Sequence, residues 1–248
     1  MYGNVVRRAN SSSQWMQRQA VDPFVTEARK KGYVARSAFK LSYIDDRFGL
    51  FDPKQSKTVI DLGCSPGGWC QVIRERTNPQ CKIIGVDLLP VRATVTNAVC
   101  LQGDFTTAPL QRKVLQELDG SLVDVITSDM CPNRQGGTQD RQRIAELQHR
   151  ALLFSIPLLK EGGHFVCKVL GSKASFLEVH RLSEKYFLKT HICKPPASRP
   201  ESDEYFLVSA QKLASPRAVA GGPGSRRSDV SYGLDDWPGF SRRPRTRR

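Results

Sequence analysis

From about residue 58 onward, short apolar runs alternate with longer stretches of helical periodicity. The runs fall at 58–62, 82–86, 97–101, 123–128, 164–169 and 205–209, and most are bounded by Gly, Pro, Asp or Asn. Between them, 69–75, 110–118, 141–158 and 173–184 predict helices. Two more helices are predicted ahead of the first run: one from Asp22 towards Lys31, and one over 35–48 with Phe39, Ile44 and Phe48 as apolar positions. Strand and helix in repetition predict an α/β fold: a mostly parallel sheet with helices on both faces. Such sheets take ligands at the carboxyl ends of their strands.

The pattern has two ends. Residues 1–21 carry Arg7, Arg8 and Arg18 and no acid, a basic arm or the remnant of a transit peptide. After Lys212 the apolar runs stop, and 213–248 is rich in Gly, Pro, Ser and Arg, which predicts a disordered basic tail. The tail is open to two readings, phosphate contact or a solvated terminus. The expected domain is therefore 22–212. A chain of 248 residues holds one sizeable core and is short for two.

A net charge of +14 favours a polyanionic partner, nucleic acid first, and names no chemistry by itself. The seven cysteines are odd in number and form no CxxC pair, and the four histidines lack ligand spacing. Reduced thiols and no metal are expected. No apolar run is long enough to span a membrane, so no membrane partner is expected.

The strongest local signal is Thr58-Val-Ile-Asp-Leu-Gly-Cys-Ser-Pro-Gly-Gly-Trp69. A β-branched strand runs into a turn holding Gly63, Gly67 and Gly68, and a helix begins at Trp69. The first strand-to-helix turn of a doubly wound sheet is where a nucleotide-like cofactor docks. The spacing is neither G-x-G-x-x-G nor a P-loop, which disfavours dinucleotides and nucleoside triphosphates. Asp87, Asp104 and Asp129 each follow a successive apolar run. One acid there is usually a cap or turn residue. Three beside a glycine turn suit a ligand with ribose hydroxyls, an adenine edge and a positive centre.

At this point the chain resembles the FtsJ-like family of ribose 2′-O-methyltransferases, in its bacterial and mitochondrial large-subunit ribosomal RNA branch. The resemblance rests on Ser12-Ser-Gln-Trp-Met-Gln-Arg18, Arg36-Ser-Ala-Phe-Lys-Leu41, Asp61 through Trp69, Asp87-Leu-Leu-Pro90 and Gln102-Gly-Asp-Phe105. It continues through Ser128-Asp-Met-Cys-Pro-Asn133, Phe165-Val-Cys-Lys168 and Lys194-Pro-Pro-Ala-Ser-Arg199 to Glu204-Tyr205. Together these stretches cover roughly 11–212 in the family's order. The resemblance implies a seven-stranded Rossmann-like sheet of the class I S-adenosylmethionine-dependent kind. It also implies a catalytic tetrad at Lys40, Asp129, Lys168 and Glu204, and cofactor contacts at Gly67, Trp69, Asp87, Asp104 and Asp129. The implied substrate is a uridine ribose in the A-loop of the peptidyl-transferase centre, on the large ribosomal subunit or its precursor. A monomer that contributes to subunit assembly is expected. Cys64, Ser65 and Cys131 stand where the family usually has Ala, and Glu201 competes with Glu204 for the fourth tetrad position.

Methyl transfer to a hydroxyl requires in-line alignment and a route for the hydroxyl proton. Lys168, embedded in an apolar run, is expected to be the base, which needs a pKa lowered by burial or by a second cation such as Lys40. Asp129 would orient Lys168, and Glu204 would position Lys40 or the ribose. The alternative is a charged Lys168 that stabilises the developing alkoxide. Arg29, Lys30, Lys31 and Arg36, with Trp15 and Tyr33 among them, are candidates for RNA contact. Rival functions are a cap-ribose methyltransferase, for which no cap-binding module is visible, and a ribosomal RNA-binding assembly factor whose catalysis is dispensable. For compartment, the sequence leans to the mitochondrial matrix, with the bacterial cytoplasm as the alternative.

Overall fold

The computed structural model describes residues 21–131, 138–170, 173–200 and 202–217. Apart from Val21 and residues 213–217, the expected basic arm and tail lie outside them, as do Trp15 and Glu201. The chain divides after Pro216.

Helices α1 (Pro23–Lys30) and α2 (Ala38–Phe48) precede an alternation of strands and helices. It runs β1 (Thr58–Leu62), α3 (Gly68–Arg76), β2 (Lys82–Asp87), β3 (Ala98–Gln102), α4 (Ala108–Leu118), β4 (Val123–Ser128), α5 (Thr138–Leu158) and β5 (Leu159–Val169). It closes with α6 (Lys173–Tyr186), β6 (Phe187–Cys193) and β7 (Tyr205–Lys212). The seven strands lie in the order β3-β2-β1-β4-β5-β7-β6. The first five are mutually parallel, and β7 runs antiparallel between β5 and β6.

Every residue of β1 and β4 is buried, so both faces of the sheet centre are covered. This is why their sequences are continuous apolar runs rather than alternations. On one face Val59, Ile83, Val125, Val166 and Val208 pack under Leu41 and Ile44 of α2 and Trp69, Val72 and Ile73 of α3. That packing fixes α2, and with it Lys40, over the sheet.

Two elements depart from the hydrophobic pattern. β6 is an edge strand, with Lys189, Thr190 and His191 only partly covered or exposed, so no apolar run marks it. β5 begins five residues before its apolar run, because Leu159 already pairs with Val123 and a register shift absorbs the polar segment before His164. α2 starts at Ala38, later than expected, after a turn through residues 34–37. No helix among the described residues is long and apolar enough to cross a membrane.

The amino-terminal rim of the sheet is pinned by Asp124. Its Oδ2 accepts from the backbone N–H of Lys57 (2.7 Å) and Thr58 (2.8 Å), and its other oxygen pairs with Lys160. Asp124→Ala leaves two donors without their acceptor and should cost about 2–3 kcal/mol, read from urea unfolding. An unchanged midpoint would remove Asp124 from the scaffold.

Candidate active site

The glycine turn between β1 and α3 is shaped by two close approaches. Gly63 has φ of +82°, and a Cβ there would lie 2.7 Å from Met130 Cγ. Gly67 has φ of +116°, and a Cβ there would lie 2.5 Å from that of Ala93. Glycine alone meets both demands without strain. The backbone of the turn is held by Val86, whose carbonyl accepts from Gly63 N–H at 2.7 Å.

A cleft of about 600 Å³ opens over the carboxyl ends of the central strands, within the range of small-molecule sites. Gly63, Asp87, Asp104 and Asp129 line it, with Leu88, Leu89 and Phe105 as apolar wall. Arg143, Glu146 and Arg150 of α5 close one side, and no strand-end pattern points to them. Gly67, Gly68 and Trp69 are not among its lining residues. Trp69 is buried instead, donating from Nε1 to the Ser37 carbonyl (2.8 Å) and packing on Phe206 at a ring distance of 5.7 Å. It ties the turn to α2.

Two of the cleft acids also hold local turns. Asp87 accepts from the backbone N–H of Ser65 (2.9 Å) and Leu89 (2.8 Å). Asp104 Oδ1 accepts from Thr106 N–H (2.9 Å) and its hydroxyl (2.8 Å). The bonds hold each carboxylate in a fixed direction at the cleft.

Asp129 extends the β1–β4 ladder by one residue, its N–H donating to the Leu62 carbonyl. That places its carboxylate against Lys168, whose Nζ lies 2.7 Å from Asp129 Oδ1 and 2.5 Å from its carbonyl. A second ion pair, Lys40 Nζ to Glu204 Oε1 at 2.6 Å, joins α2 to the residue preceding β7. The two pairs meet at Phe206. Its ring lies 5.7 Å under Lys40 Nζ, and its backbone is the register partner of Lys168. All four side chains are largely buried.

The segment before β7 is tied down by several bonds. Ser198 donates to Glu204 Oε1 at 2.7 Å, Lys194 reaches the carbonyls of Pro200 and Ser202, and Arg36 bridges Asp22 to the Ala197 carbonyl. Arg36 is therefore turned inward rather than presented with Arg29, Lys30 and Lys31, which are exposed. Tyr33, expected as a stacking residue, is bonded to Glu75 and set edge-on to Phe39.

Burial works to lower the Lys168 pKa, but the charge and hydrogen bond of Asp129 outweigh it and the net direction is upward. The lowered pKa expected from burial is thus reversed by the partner that burial demands.

Below the pairs, on the same face, lies an acid the sequence reading did not single out. Asp61 is fully buried, accepting from the Thr127 hydroxyl at 2.8 Å and the Cys70 thiol at 3.5 Å. Burial pushes its carboxyl up to about 7, against those two hydrogen bonds and with help from the charges of Asp129 and Asp87.

A family model described as FtsJ-like methyltransferase matches residues 33–212. Ribosomal RNA large subunit methyltransferase E of Zymomonas mobilis is 41% identical over 204 residues, 82% of this chain and 90% of that protein. The protein of the same name from a Caulobacter species is 43% identical over 203 residues, 82% of this chain and 87% of that one. Among solved structures, a ribosomal RNA methyltransferase from Plasmodium falciparum superposes with a TM-score of 0.61 at 28% identity, over 73% of this chain and 99% of that one.

An acid whose pKa is higher folded than unfolded supports the fold fully below its unfolded value and loses that support as pH rises to the folded value. For Asp61 the window runs from the ordinary 3.8 to about 7. Asp61→Asn should remove this slope, so the urea midpoint of the variant gains on the parent across that window. Parallel pH profiles for the two proteins would show Asp61 to be ionised throughout.

Proposed function

The chain belongs to the FtsJ-like methyltransferase family, and from that premise we propose that it methylates the 2′-hydroxyl of a uridine in the peptidyl-transferase A-loop of large-subunit ribosomal RNA. The observation that carries this reading is the meeting of two buried ion pairs, Lys168–Asp129 and Lys40–Glu204, at the edge of the acid-lined cleft. The names of the curated relatives, each a large-subunit ribosomal RNA methyltransferase, support the substrate class.

The family is S-adenosylmethionine-dependent, and the cleft suits that cofactor. Its acids can accept from ribose hydroxyls and an amine, and its apolar wall can cover an adenine. When bound, the cofactor would supply a methyl group on a positively charged sulfur. Asp87 and Asp104 hold the cofactor, with Gly67, Gly68 and Trp69 shaping the turn beneath it. Lys168, once its ammonium has given up its own proton to solvent, would take the proton of the ribose hydroxyl. Asp129 keeps the amine aimed at that oxygen. Lys40, fixed by Glu204, faces the substrate as a cation.

We take 22–212 as the catalytic domain and the flanking basic segments as phosphate contacts, with Arg29, Lys30 and Lys31 extending that surface. The chain is proposed to act as a monomer, and assembly of the large subunit is the process served. The curated relatives are bacterial and so support the bacterial cytoplasm; they lend nothing to the mitochondrial matrix.

Methyl transfer from labelled cofactor to large subunits and to naked ribosomal RNA, followed by mapping of the modified ribose, tests the assignment. Label in a base, or outside the A-loop, would overturn it. Lys168→Ala should slow transfer about 10²–10⁴-fold while cofactor binding persists. Lys168→Arg should be as slow, because an arginine stays charged, and the parent rate should keep rising with pH through the alkaline range, because Asp129 holds the Lys168 ammonium above its ordinary range. An active arginine variant with a flat pH profile would make Lys168 an electrostatic stabiliser. A Lys168→Ala chain that restores subunit assembly would separate assembly from catalysis.

A further inference from the structure

Across four neighbouring strands one row of residues shares the face under α3: Thr127 on β4, Asp61 on β1, Gly85 on β2 and Cys100 on β3. Glycine inside a strand marks a place where something else needs the room. Here the occupants are two sulfurs. A Cβ on Gly85 would lie 2.8 Å from Cys64 Sγ and 3.3 Å from Cys100 Sγ. Cys64 belongs to the glycine turn, flanked by Gly63 and Ser65, which both line the cofactor cleft. A third thiol, Cys70 at the start of α3, is nearby but donates to Asp61. All three are free cysteines, and of the three only Cys100 is exposed.

We propose that Cys100 and Cys64 form a peroxide-sensitive thiol pair, and that joining them as a disulfide weakens cofactor binding. A peroxide oxygen is attacked by the Cys100 thiolate, giving a sulfenic acid and one water once the released hydroxide is protonated. The Cys64 sulfur then attacks the sulfenic sulfur, the S–O bond breaks, and the Cys64 proton leaves with the oxygen as a second water. The peroxide is reduced by two electrons, and the two thiols are oxidised to one disulfide.

Three features favour this order. Cys100 is the exposed residue of the three. A hydrogen bond from Cys64 holds its thiol below the ordinary range, against burial, so it carries thiolate character. Cys64, whose pKa is raised chiefly by the same bond to Cys100, is the buried resolving partner. A disulfide needs sulfurs about 2 Å apart, so the pair must close over Gly85. Cys100 is anchored in β3, and the turn that carries Cys64 is pulled from the position that shapes the cleft floor.

The test needs no RNA, so its outcome stands apart from the ribose reading. The full reduced chain is treated with hydrogen peroxide, alkylated, digested and mapped by mass spectrometry, while S-adenosylmethionine binding is titrated in parallel. The expected result is a Cys64–Cys100 cross-linked peptide and a loss of cofactor affinity, both reversed by dithiothreitol. Cys100→Ser should bind cofactor as the parent does and keep that affinity after peroxide. Cys64→Ala, which places a smaller residue in the turn, should likewise yield no cross-link. Absence of the cross-link, a link from Cys100 to Cys70 instead, unchanged affinity in the cross-linked protein, or equal loss in Cys100→Ser would each overturn the proposal.

Discussion

An ammonium can be buried in a sheet only if an anion is buried with it. Removing one partner from such a pair leaves an uncompensated charge and costs about 3–5 kcal/mol, which makes the pairing a constraint on the whole fold. Lys168 sits in a strand between Cys167 and Val169, both buried, and Asp129 is what makes that position tenable. For the two to meet, β4 and β5 must be neighbours in one register, and the chain must leave β4 one residue past Ser128 still in ladder geometry. The same neighbourhood then serves chemistry. In the proposed reaction this buried lysine, beside a carboxylate that opens onto the cleft, must give up its own proton before it can serve as a base.

The second pair repeats the logic across a longer separation. Lys40 comes from a helix that precedes the sheet in the chain, and Glu204 from the segment entering the last strand. Neither is placed by strand pairing alone. α2 is held by the apolar face it shares with α3, and Glu204 by Ser198 and the Arg36 and Lys194 bonds around it. Phe206 joins the two arrangements, since it packs on Trp69, underlies Lys40 and pairs in register with Lys168. A shift of β7 by one residue would turn that ring to the other face.

Much of this could be read from the residues. The glycine turn and the acids at 87, 104 and 129 were legible because parallel strands end at one rim, and an acid after each strand has one place to go. Lys168 stood out because its apolar neighbours left no solvated face for it. The pairing of Lys40 with Glu204 was not legible from spacing, since 163 residues separate them in the chain, and the expectation came from family resemblance. Arg36 shows the reverse failure: its charge suggested a surface, and Asp22 turned it inward. Asp61 was hidden because a carboxylate in a strand looks like any other until both its oxygens are seen to face a hydroxyl and a thiol. β6 was hidden because an edge strand covered only in part writes no apolar run.

The position of β7 between β5 and β6 has a consequence for how the molecule is made. A chain synthesised from its amino terminus delivers β6 before the strand that links it to the sheet, so β6 has no strand partner until the final strand slides in beside it. That same insertion brings Glu204 to Lys40. The protein therefore acquires its second buried ion pair only at the closing stage of its own biosynthesis, and a nascent chain stalled before β7 would have the cleft without that clasp.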